Sequence, residues 1–215
     1  MRLLIARHGA TQHNLDGRLT GQIDAPLSAL GERQAMALAD RLASWRFDTI
    51  IASDLTRAKA TAEAIAKYHG LPVLLDADLR EIDMGAWAGR PYTEWTADER
   101  LRFEAMECDP TGSLSAPGGE SFAALAERTE RALLRTRKRH PDGTVLWVAH
   151  GGVISVLLVR ALGLGFHQGR QFQRSNCALF ELRYEGKHVT IARLNDIAHL
   201  ESLEANEPSE ARQAL

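Results

Sequence analysis

Short apolar runs alternate along the chain with segments whose apolar residues recur at helical spacing. Four runs have the length and aliphatic character of buried strands, namely residues 3–6, Thr49–Ala52, Val73–Leu75 and 145–149. Strands that alternate with helices are typical of βαβ units around a mostly parallel sheet. The pattern therefore predicts the α/β class, and within it a three-layer α/β/α sandwich with a mostly parallel central sheet.

Three segments have the periodicity of helices that bury one face. The first comprises residues 35–42 and follows a candidate N-cap at Ser28, and the second comprises residues 58–66. The third, residues 153–162, is mostly apolar and ends at Gly163, a residue type that suits the position after a helix C-terminus. These helices are expected to cover the sheet.

The rest of the chain departs from this alternation. Residues 178–184 and 188–193 flank a Glu-Gly-Lys turn, which predicts a C-terminal β-hairpin. Residues 81–89 contain two glycines and a tryptophan and suit a loop. Residues 91–121 combine an amphipathic stretch with a Gly/Pro/Ser-rich stretch, and they predict a small helical cap insertion over the strand ends.

Aromatic and aliphatic residues of the cap have two interpretations. The amphipathic stretch carries Trp95, Leu101, Phe103 and Met106 on its predicted apolar face. Trp87 and Trp95 could form an apolar wall for a substrate, but aromatic residues on a cap more often pack into its own small core. The second interpretation is the default expectation.

Composition sets the class of protein. With 215 residues, of which 45% are hydrophobic and 25% charged, the chain can bury one full core. We expect a single domain over residues 1–203 and a disordered acidic tail over residues 204–215. The net charge of −2 argues against non-specific nucleic-acid binding. The apolar runs are too short for a membrane span and the start resembles no signal peptide, so a cytoplasmic location is expected. Cys108 and Cys177 are expected to be reduced packing residues.

Polar residues cluster where the predicted strands end. Arg7 and His8 follow the first strand, Arg57 opens the helix after the second, Glu81 follows the third, and His150 follows the fourth. The carboxyl ends of parallel strands meet at one edge, which is where open α/β sheets bind ligands. Each residue alone has an ordinary explanation as a surface, loop or core side chain. Together, two histidines, two arginines and a glutamate predict phosphoryl transfer without a metal.

The ordered set of motifs resembles a known family, the histidine phosphatase superfamily, in its phosphoglycerate-mutase-like branch. The resemblance covers about residues 2–200 and implies that His8 is the phosphorylated nucleophile. It also implies that Arg7, Arg57 and His150 form the phosphate pocket and that Glu81 gives a proton to the leaving group. The matching motifs are residues 7–14, 53–58, 79–89, 117–121 and 148–152.

The resemblance implies further contacts around the phosphate. Asn14 matches an additional phosphate contact, and Thr20, Gly21 and Gln22 match a segment that borders the substrate in relatives. Gly151, with Gly152, would let the main chain approach the ligand at a helix N-terminus. A C-terminal stretch over about residues 195–200 resembles one that can approach the site.

Elementary chemistry supports the same roles. Attack by His8 on a phosphomonoester requires that the phosphoryl oxygens be neutralised, which Arg7, Arg57 and a protonated His150 would do. An alkoxide is a poor leaving group, so a general acid is needed, and Glu81 fits that role. No cofactor or metal is expected, because the cysteines, histidines and carboxylates lack metal-ligand spacing.

Three functions stay open at this point. The first is a phosphomonoesterase that acts on a small phosphate ester, as a monomer or homodimer without nucleic-acid or membrane partners. The second is a cofactor-dependent phosphoglycerate-type mutase, and the third a catalytically silent binding protein. The residues after Glu81, which read Ile-Asp-Met-Gly-Ala-Trp, look like the phosphatase version. Broad-specificity, α-ribazole and sugar-phosphoglycerate phosphatases all resemble the chain.

Overall fold

The computed structural model describes residues 1–201 and 203. In this part of the chain, six strands form one sheet in the order β3-β2-β4-β1-β5-β6. The first four strands pair in parallel, and β5 and β6 add an antiparallel hairpin beside β1. The predicted acidic tail lies outside the described residues. The strands are β1 (Arg2–Arg7), β2 (Thr49–Ala52), β3 (Val73–Leu75), β4 (Thr144–Ala149), β5 (Leu179–Glu185) and β6 (His188–Asp196).

Helices cover both faces of the sheet, which confirms the three-layer α/β/α prediction. Successive residues of β1 point to opposite faces, so that Leu4 packs with α2 and α3 while Leu3 and Ile5 pack with α5 and α6. No helix among the described residues has the length and apolar composition that a membrane span needs. The helices are α1 (Gln12–Leu15), α2 (Ala29–Leu42), α3 (Thr56–Ala66), α4 (Ala97–Cys108), α5 (Phe122–Arg139) and α6 (Gly151–Leu162).

Local signals in the sequence place several helix ends correctly. The Ser28 hydroxyl accepts a hydrogen bond from the Gly31 amide and caps α2. Helix α6 ends at Gly163, whose φ of +66° lies in the left-handed region that favours glycine. The predicted C-terminal hairpin is also present, and its second strand runs three residues beyond the predicted end to Asp196.

Three predictions about burial are wrong. Strand β3 is predicted to be covered on both faces, but Leu74 and Leu75 are 44% and 49% exposed because β3 is an edge strand of the sheet. Leu101, expected on the buried face of the cap helix, is 66% exposed, whereas Met106 on α4 is buried. Cys177 is a buried packing residue as expected, but Cys108 is exposed.

Trp87 and Trp95 pack against each other inside the same hydrophobic cluster that contains Leu3 and Ile5 of β1. The rings of Trp87 and Trp95 are stacked with centroids 5.3 Å apart, and Phe103 from α4 meets both edge-on. Trp87 and Trp95 are both buried in this cluster. Both rings therefore pack as core residues, and their cluster is continuous with the main core of the domain.

Candidate active site

The side chain of His8 is fixed at the carboxyl end of β1. Its Nδ1 lies 2.7 Å from the main-chain oxygen of Gly9 and donates to it. On the other side of the ring, the Nε of Arg57 donates to Nε2 across 3.3 Å. A guanidinium has no acceptor, so Nε2 carries the lone pair. Burial, together with Arg57 and Arg7, holds the pKa of His8 well below its ordinary value. The ring is thus neutral and oriented, with the lone pair of Nε2 on the side of Arg57.

Arg57 is held by main-chain carbonyls of the segment before α2. Its Nη1 donates to the carbonyl of Ile23 at 2.8 Å and its Nη2 to that of Gly21 at 2.7 Å. Gly21 has a φ of +54°, and a β-carbon there would lie 3.1 Å from the amide nitrogen of Met84. Gly21 contributes to the site through its backbone, which orients Arg57 beside His8.

His150 lies against His8. Its ring centroid is 5.0 Å from that of His8, and the ring is fully buried at the start of α6. Within the described residues, neither ring nitrogen has a hydrogen-bond partner. Burial, followed by His8, Arg57 and Arg7, keeps the pKa of His150 well below its ordinary value. The protein's own groups therefore favour a neutral His150, not the protonated ring that the sequence suggested.

Arg7 supplies a second guanidinium. Burial lowers its pKa to about 10, and Glu81 opposes that shift while Arg174 and Arg57 add to it. Its Nη1 donates to the main-chain oxygen of Arg174. Its Nε is buried and, among the described residues, lacks a partner. Buried polar atoms are normally satisfied, so these nitrogens of Arg7 and His150 leave room for a further hydrogen-bond partner, and their contact with a phosphate stays a prediction.

Glu81 is oriented by the N-terminus of α6. Its Oε1 accepts from the amides of Ile82 and Gly152, both at 2.9 Å. A β-carbon on Gly152 would lie only 2.3 Å from that oxygen, so the carboxylate needs a glycine there. A β-carbon on Gly151 would lie 3.7 Å from both Glu81 Oε2 and Arg174 Nε, and 3.8 Å from Arg7 Nε. Oε2 therefore faces the cations.

A cavity of about 350 Å³ adjoins this cluster. Arg7, Glu81 and Gly151 line this cavity together with Arg174. Sequence reasoning missed Arg174 because the segment before β5 carries no motif or periodicity that distinguishes it. Four aromatic rings complete the wall: Phe103, Phe122, Phe166 and Phe172.

The remaining predicted residues lie around this core in supporting positions. Asn14 uses its Oδ1 to accept from the amide and hydroxyl of Thr11, both at 3.0 Å, and so caps α1. Thr20 is buried, and its hydroxyl has no partner within the described residues. Gln22 donates from Nε2 to the main-chain oxygen of Glu81 at 3.1 Å. Contacts of these side chains with substrate stay predictions.

The C-terminal stretch forms hydrogen bonds with the loop of residues 175–177, which lies next to His8. Asn195 accepts from the amide of Ser175 at 2.8 Å, and the Nε2 of His199 donates to the main-chain oxygen of Cys177 at 3.0 Å. The intervening Asn176 donates to the main-chain oxygen of His8 at 2.9 Å. In residues 1–201 and 203, no group of three or more histidine, cysteine or acidic side chains could hold a metal ion.

Comparison with known proteins identifies the family. A sequence model of the histidine phosphatase superfamily (branch 1) matches residues 3–197, and the chain belongs to this superfamily. Relatives of this kind support an enzyme that acts on phosphates.

Individual relatives carry different activities in their names. A curated protein of Salmonella choleraesuis (strain SC-B67), "Probable phosphoglycerate mutase GpmB", is 33% identical over 94% of this chain and 96% of its own length. A mycobacterial glucosyl-3-phosphoglycerate phosphatase is 30% identical with a TM-score of 0.83, covering 91% of this chain and 99% of that one. The α-ribazole phosphatase of Shigella flexneri is 31% identical with a TM-score of 0.82, covering 92% and 98%.

Proposed function

We propose that the protein is a metal-independent phosphomonoesterase that hydrolyses a small phosphorylated metabolite through a phosphohistidine on His8. The observation that carries this proposal is the hydrogen bonding of His8: Nδ1 donates to Gly9, and Arg57 donates to the lone pair on Nε2. A neutral imidazole held this way is ready to attack phosphorus. When a phosphoryl group reaches Nε2, one of its oxygens accepts the hydrogen bond from Arg57 Nε in place of the imidazole nitrogen.

The first step transfers the phosphoryl group to the protein. His8 Nε2 attacks phosphorus, the bond from phosphorus to the ester oxygen breaks, and the departing oxygen takes a proton from Glu81. Oε1 of Glu81 already accepts two amide hydrogen bonds, so the proton is carried on Oε2, which faces the cavity. The alcohol then leaves.

The second step returns the enzyme to its starting state. Glu81, now a carboxylate, takes a proton from a water molecule whose oxygen attacks phosphorus. The bond between phosphorus and His8 Nε2 breaks, which releases inorganic phosphate and restores the neutral ring. The same carboxyl thus acts as acid and then as base, in accord with microscopic reversibility.

Fixed cations would stabilise the charge that develops in both steps. Arg57 is buried and Arg7 is half-buried, and the orientation of both guanidinium groups is set by main-chain carbonyls rather than by a ligand. His150 offers ring nitrogens without partners in the described protein, and a phosphate dianion would favour its protonated form. Electrostatic stabilisation of this kind needs no metal ion.

The cavity that would hold the substrate combines apolar and charged side chains. Four phenylalanines and Arg174 line the cavity next to Glu81, which supports an ester whose alcohol part has an apolar portion and accepts a hydrogen bond or ion pair from Arg174. The phosphatase names of similar structures support hydrolysis of such esters. Action on a free metabolite in the cytoplasm, without nucleic-acid or membrane partners, is part of the proposal.

A mutase is the second candidate, and the name of the Salmonella relative favours it. In that reaction the phosphoryl group on His8 would pass to a second hydroxyl of the bound ligand instead of to water. A set of phosphorylated metabolites, assayed with and without 2,3-bisphosphoglycerate, separates the two. Release of inorganic phosphate supports the phosphatase, and isomerised ester without phosphate release supports the mutase.

Trapping of the intermediate tests the central step. Brief incubation with a ³²P-labelled ester is expected to label His8 with an acid-labile, base-stable phosphate. His8→Ala should abolish the label and lower turnover by about a thousandfold or more. His140→Ala is the matched control, because His140 follows α5 at the opposite edge of the sheet. Label on another residue type, or none during turnover, would contradict the proposal.

A further inference from the structure

Arg128 on α5 is a buried arginine outside the catalytic edge, and all its donors are used. Its guanidinium donates to Glu120 through Nε at 2.7 Å and through Nη2 at 2.8 Å. The remaining hydrogens reach the main-chain oxygens of Asp78 and Arg80, at 2.9 and 2.6 Å, and that of Glu81, at 2.9 Å. The five N–H groups of the side chain are thus all satisfied.

These acceptors belong to the segment that carries the proposed acid. Asp78 lies in a single 3-10 turn, whereas Arg80 and Glu81 form neither helix nor strand, so the carbonyls of these two lack the partners that regular structure provides. Arg128 supplies partners to carbonyls on both sides of the Glu81 α-carbon. A single rigid side chain therefore sets the path of the backbone from Asp78 to Glu81.

Glu120 completes this arrangement from the other side. Its carboxylate pairs with Arg128 in the bidentate manner that fits a guanidinium, and its Oε2 also accepts from the amide of Asp83 at 3.3 Å. The amide of Glu120 donates to the main-chain oxygen of Asp83 at 2.8 Å. The segment on the C-terminal side of Glu81 is consequently tied to the same ion pair.

The orientation of the Glu81 carboxylate depends on that backbone. The hydrogen bonds to Oε1 come from the amides of Ile82 and Gly152, so they form only when residues 81 and 82 stand at the correct distance from α6. A shift of about 1 Å in a catalytic group can cost a hundredfold in rate. The Arg128–Glu120 pair meets that requirement without touching the reacting atoms.

We infer that Arg128, held by Glu120, is a positioning residue that aims Oε2 of Glu81 at the leaving-group oxygen. The inference rests on the proposed function, in which Glu81 is the general acid. It differs from a stabilising role in one measurable respect. The value of kcat/KM reports the reaction up to transfer of the phosphoryl group to His8, before Glu81 acts as a base. In kcat/KM, a residue that acts through the acid therefore matters only for substrates that need the acid, whereas a residue that merely stabilises the fold affects all substrates alike.

The test compares leaving groups in Arg128→Lys. Lysine keeps the charge but cannot serve three carbonyls and a carboxylate at once. The kcat/KM for an alkyl phosphate should fall about a hundredfold, as expected for a misplaced acid. The value for p-nitrophenyl phosphate, whose leaving group needs no proton, should fall less than about tenfold. Equal losses on both substrates would overturn the inference.

Arg131→Gln is the matched control. Arg131 lies one turn further along α5, is 58% exposed, and contacts only the side chain of Asp78 in this segment, at 3.1 Å. Removal of such an exposed pair should leave both kcat/KM values within about twofold of wild type. A leaving-group effect in this variant as well would mean that any change on α5 disturbs the site, which would contradict a specific role for Arg128.

Variants in the Glu81→Gln background separate the inference from the proposed function. If Arg128 acts through Glu81, then Arg128→Lys should cost less than about twofold more on the alkyl phosphate once Glu81 is replaced. Multiplicative losses would overturn the inference and leave the acid assignment intact. If Glu81→Gln itself shows no leaving-group preference, the proposed function fails at its acid.

A milder variant covers the case in which Arg128→Lys does not fold. Glu120→Gln keeps the shape of the partner and removes its charge, and it should show the same leaving-group signature with a smaller loss. Hydrogen exchange at the amides of Ile82 and Gly152 should also accelerate, because both donate to the Glu81 carboxylate. Unchanged exchange together with unchanged leaving-group dependence would overturn the inference.

Discussion

The Nε of Arg57 donates a hydrogen bond to Nε2 of His8 across 3.3 Å. A guanidinium cation is therefore bound to the lone pair that is proposed to attack phosphorus. Two main-chain carbonyls bind the other two nitrogens of the guanidinium, at 2.8 and 2.7 Å. The side chain is therefore aligned before substrate arrives. Its geometry, as much as its charge, should matter for the reaction.

Replacement of Arg57 by lysine is expected to be severe. An ammonium cannot reach both carbonyls and also donate beside His8, so Arg57→Lys should lose about 2 kcal/mol or more of transition-state stabilisation, measured as kcat/KM. Arg102→Lys is the control, since Arg102 is an exposed residue of α4 paired with Asp98. Near wild-type kinetics for Arg57→Lys would place its side chain outside the reaction.

The pH dependence follows from the neutral state of His8. Burial, Arg57 and Arg7 lower its pKa well below 6.5, and only the neutral ring can attack. The acidic limb of kcat/KM, which reports the free enzyme, should therefore lie below pH 6.5. In Arg57→Gln a neighbouring positive charge is lost, so the pKa of His8 rises and the limb should move to higher pH.

The pH comparison uses one substrate for both enzymes, so that the ionisation of the ester itself cancels. A limb that stays at the same pH in Arg57→Gln would show that His8 is not the group whose protonation abolishes activity.

The two glycines that begin α6 should respond differently to alanine. In Gly152→Ala the new β-carbon would meet Oε1 of Glu81 at 2.3 Å and displace the carboxyl, so kcat for alkyl phosphates should fall by about a hundredfold. In Gly151→Ala the nearest side-chain atoms, Arg174 Nε and Glu81 Oε2, would lie 3.7 Å from the methyl group, which would enter the cavity. That variant should mainly raise KM. Identical kinetic effects would contradict the geometry.

Loss of the proposed acid should be selective. Glu81→Gln is expected to impair hydrolysis of alkyl phosphates strongly while sparing more of the activity toward p-nitrophenyl phosphate. His8→Ala removes the nucleophile and should show no such preference. The measurement is the ratio of kcat/KM for the two substrates in each enzyme, and an unchanged ratio in Glu81→Gln would remove Glu81 from the role of acid.

Activity should survive exhaustive chelation, because Arg7 and Arg57 already supply the positive charge for the transferring phosphoryl group. Vanadate, which can adopt the trigonal bipyramidal geometry of that group, should inhibit strongly. Turnover is measured before and after treatment with EDTA, with and without added magnesium. Loss with EDTA and recovery with magnesium would contradict metal-independent chemistry.

The sequence predicted those parts of the site whose positions follow from the order of strands along the chain. Apolar runs identified the parallel strands, and the rule that strand ends meet at one edge brought His8, Arg57 and His150 together. Short-range signals such as the Ser28 cap were also readable, because they depend on neighbours within one turn. These features need no knowledge of side-chain packing.

Other features depend on contacts that no local pattern encodes. Arg128 looks like any charged residue in a helix with many arginines, yet it is buried and binds carbonyls some 50 residues earlier in the chain. The lowered pKa of His150 arises from burial and from four neighbouring groups, His8, Arg57, Arg7 and Arg128, which the sequence separates widely. Leu101 is exposed because α4 turns Phe103 and Met106, and not Leu101, toward the hydrophobic core. Helical periodicity alone does not show which side of α4 is buried.

The hydrogen bond from His8 Nδ1 to the carbonyl of Gly9 also decides regiochemistry. An imidazole can be phosphorylated on either nitrogen, and the two products are distinct compounds. Here one nitrogen is committed to the backbone, so the proposed intermediate forms only as the isomer phosphorylated at Nε2, the τ-phosphohistidine. Its bond to phosphorus lies on the side of the ring that faces Arg57, and antibodies or ³¹P spectra that distinguish the isomers would register it as a single species.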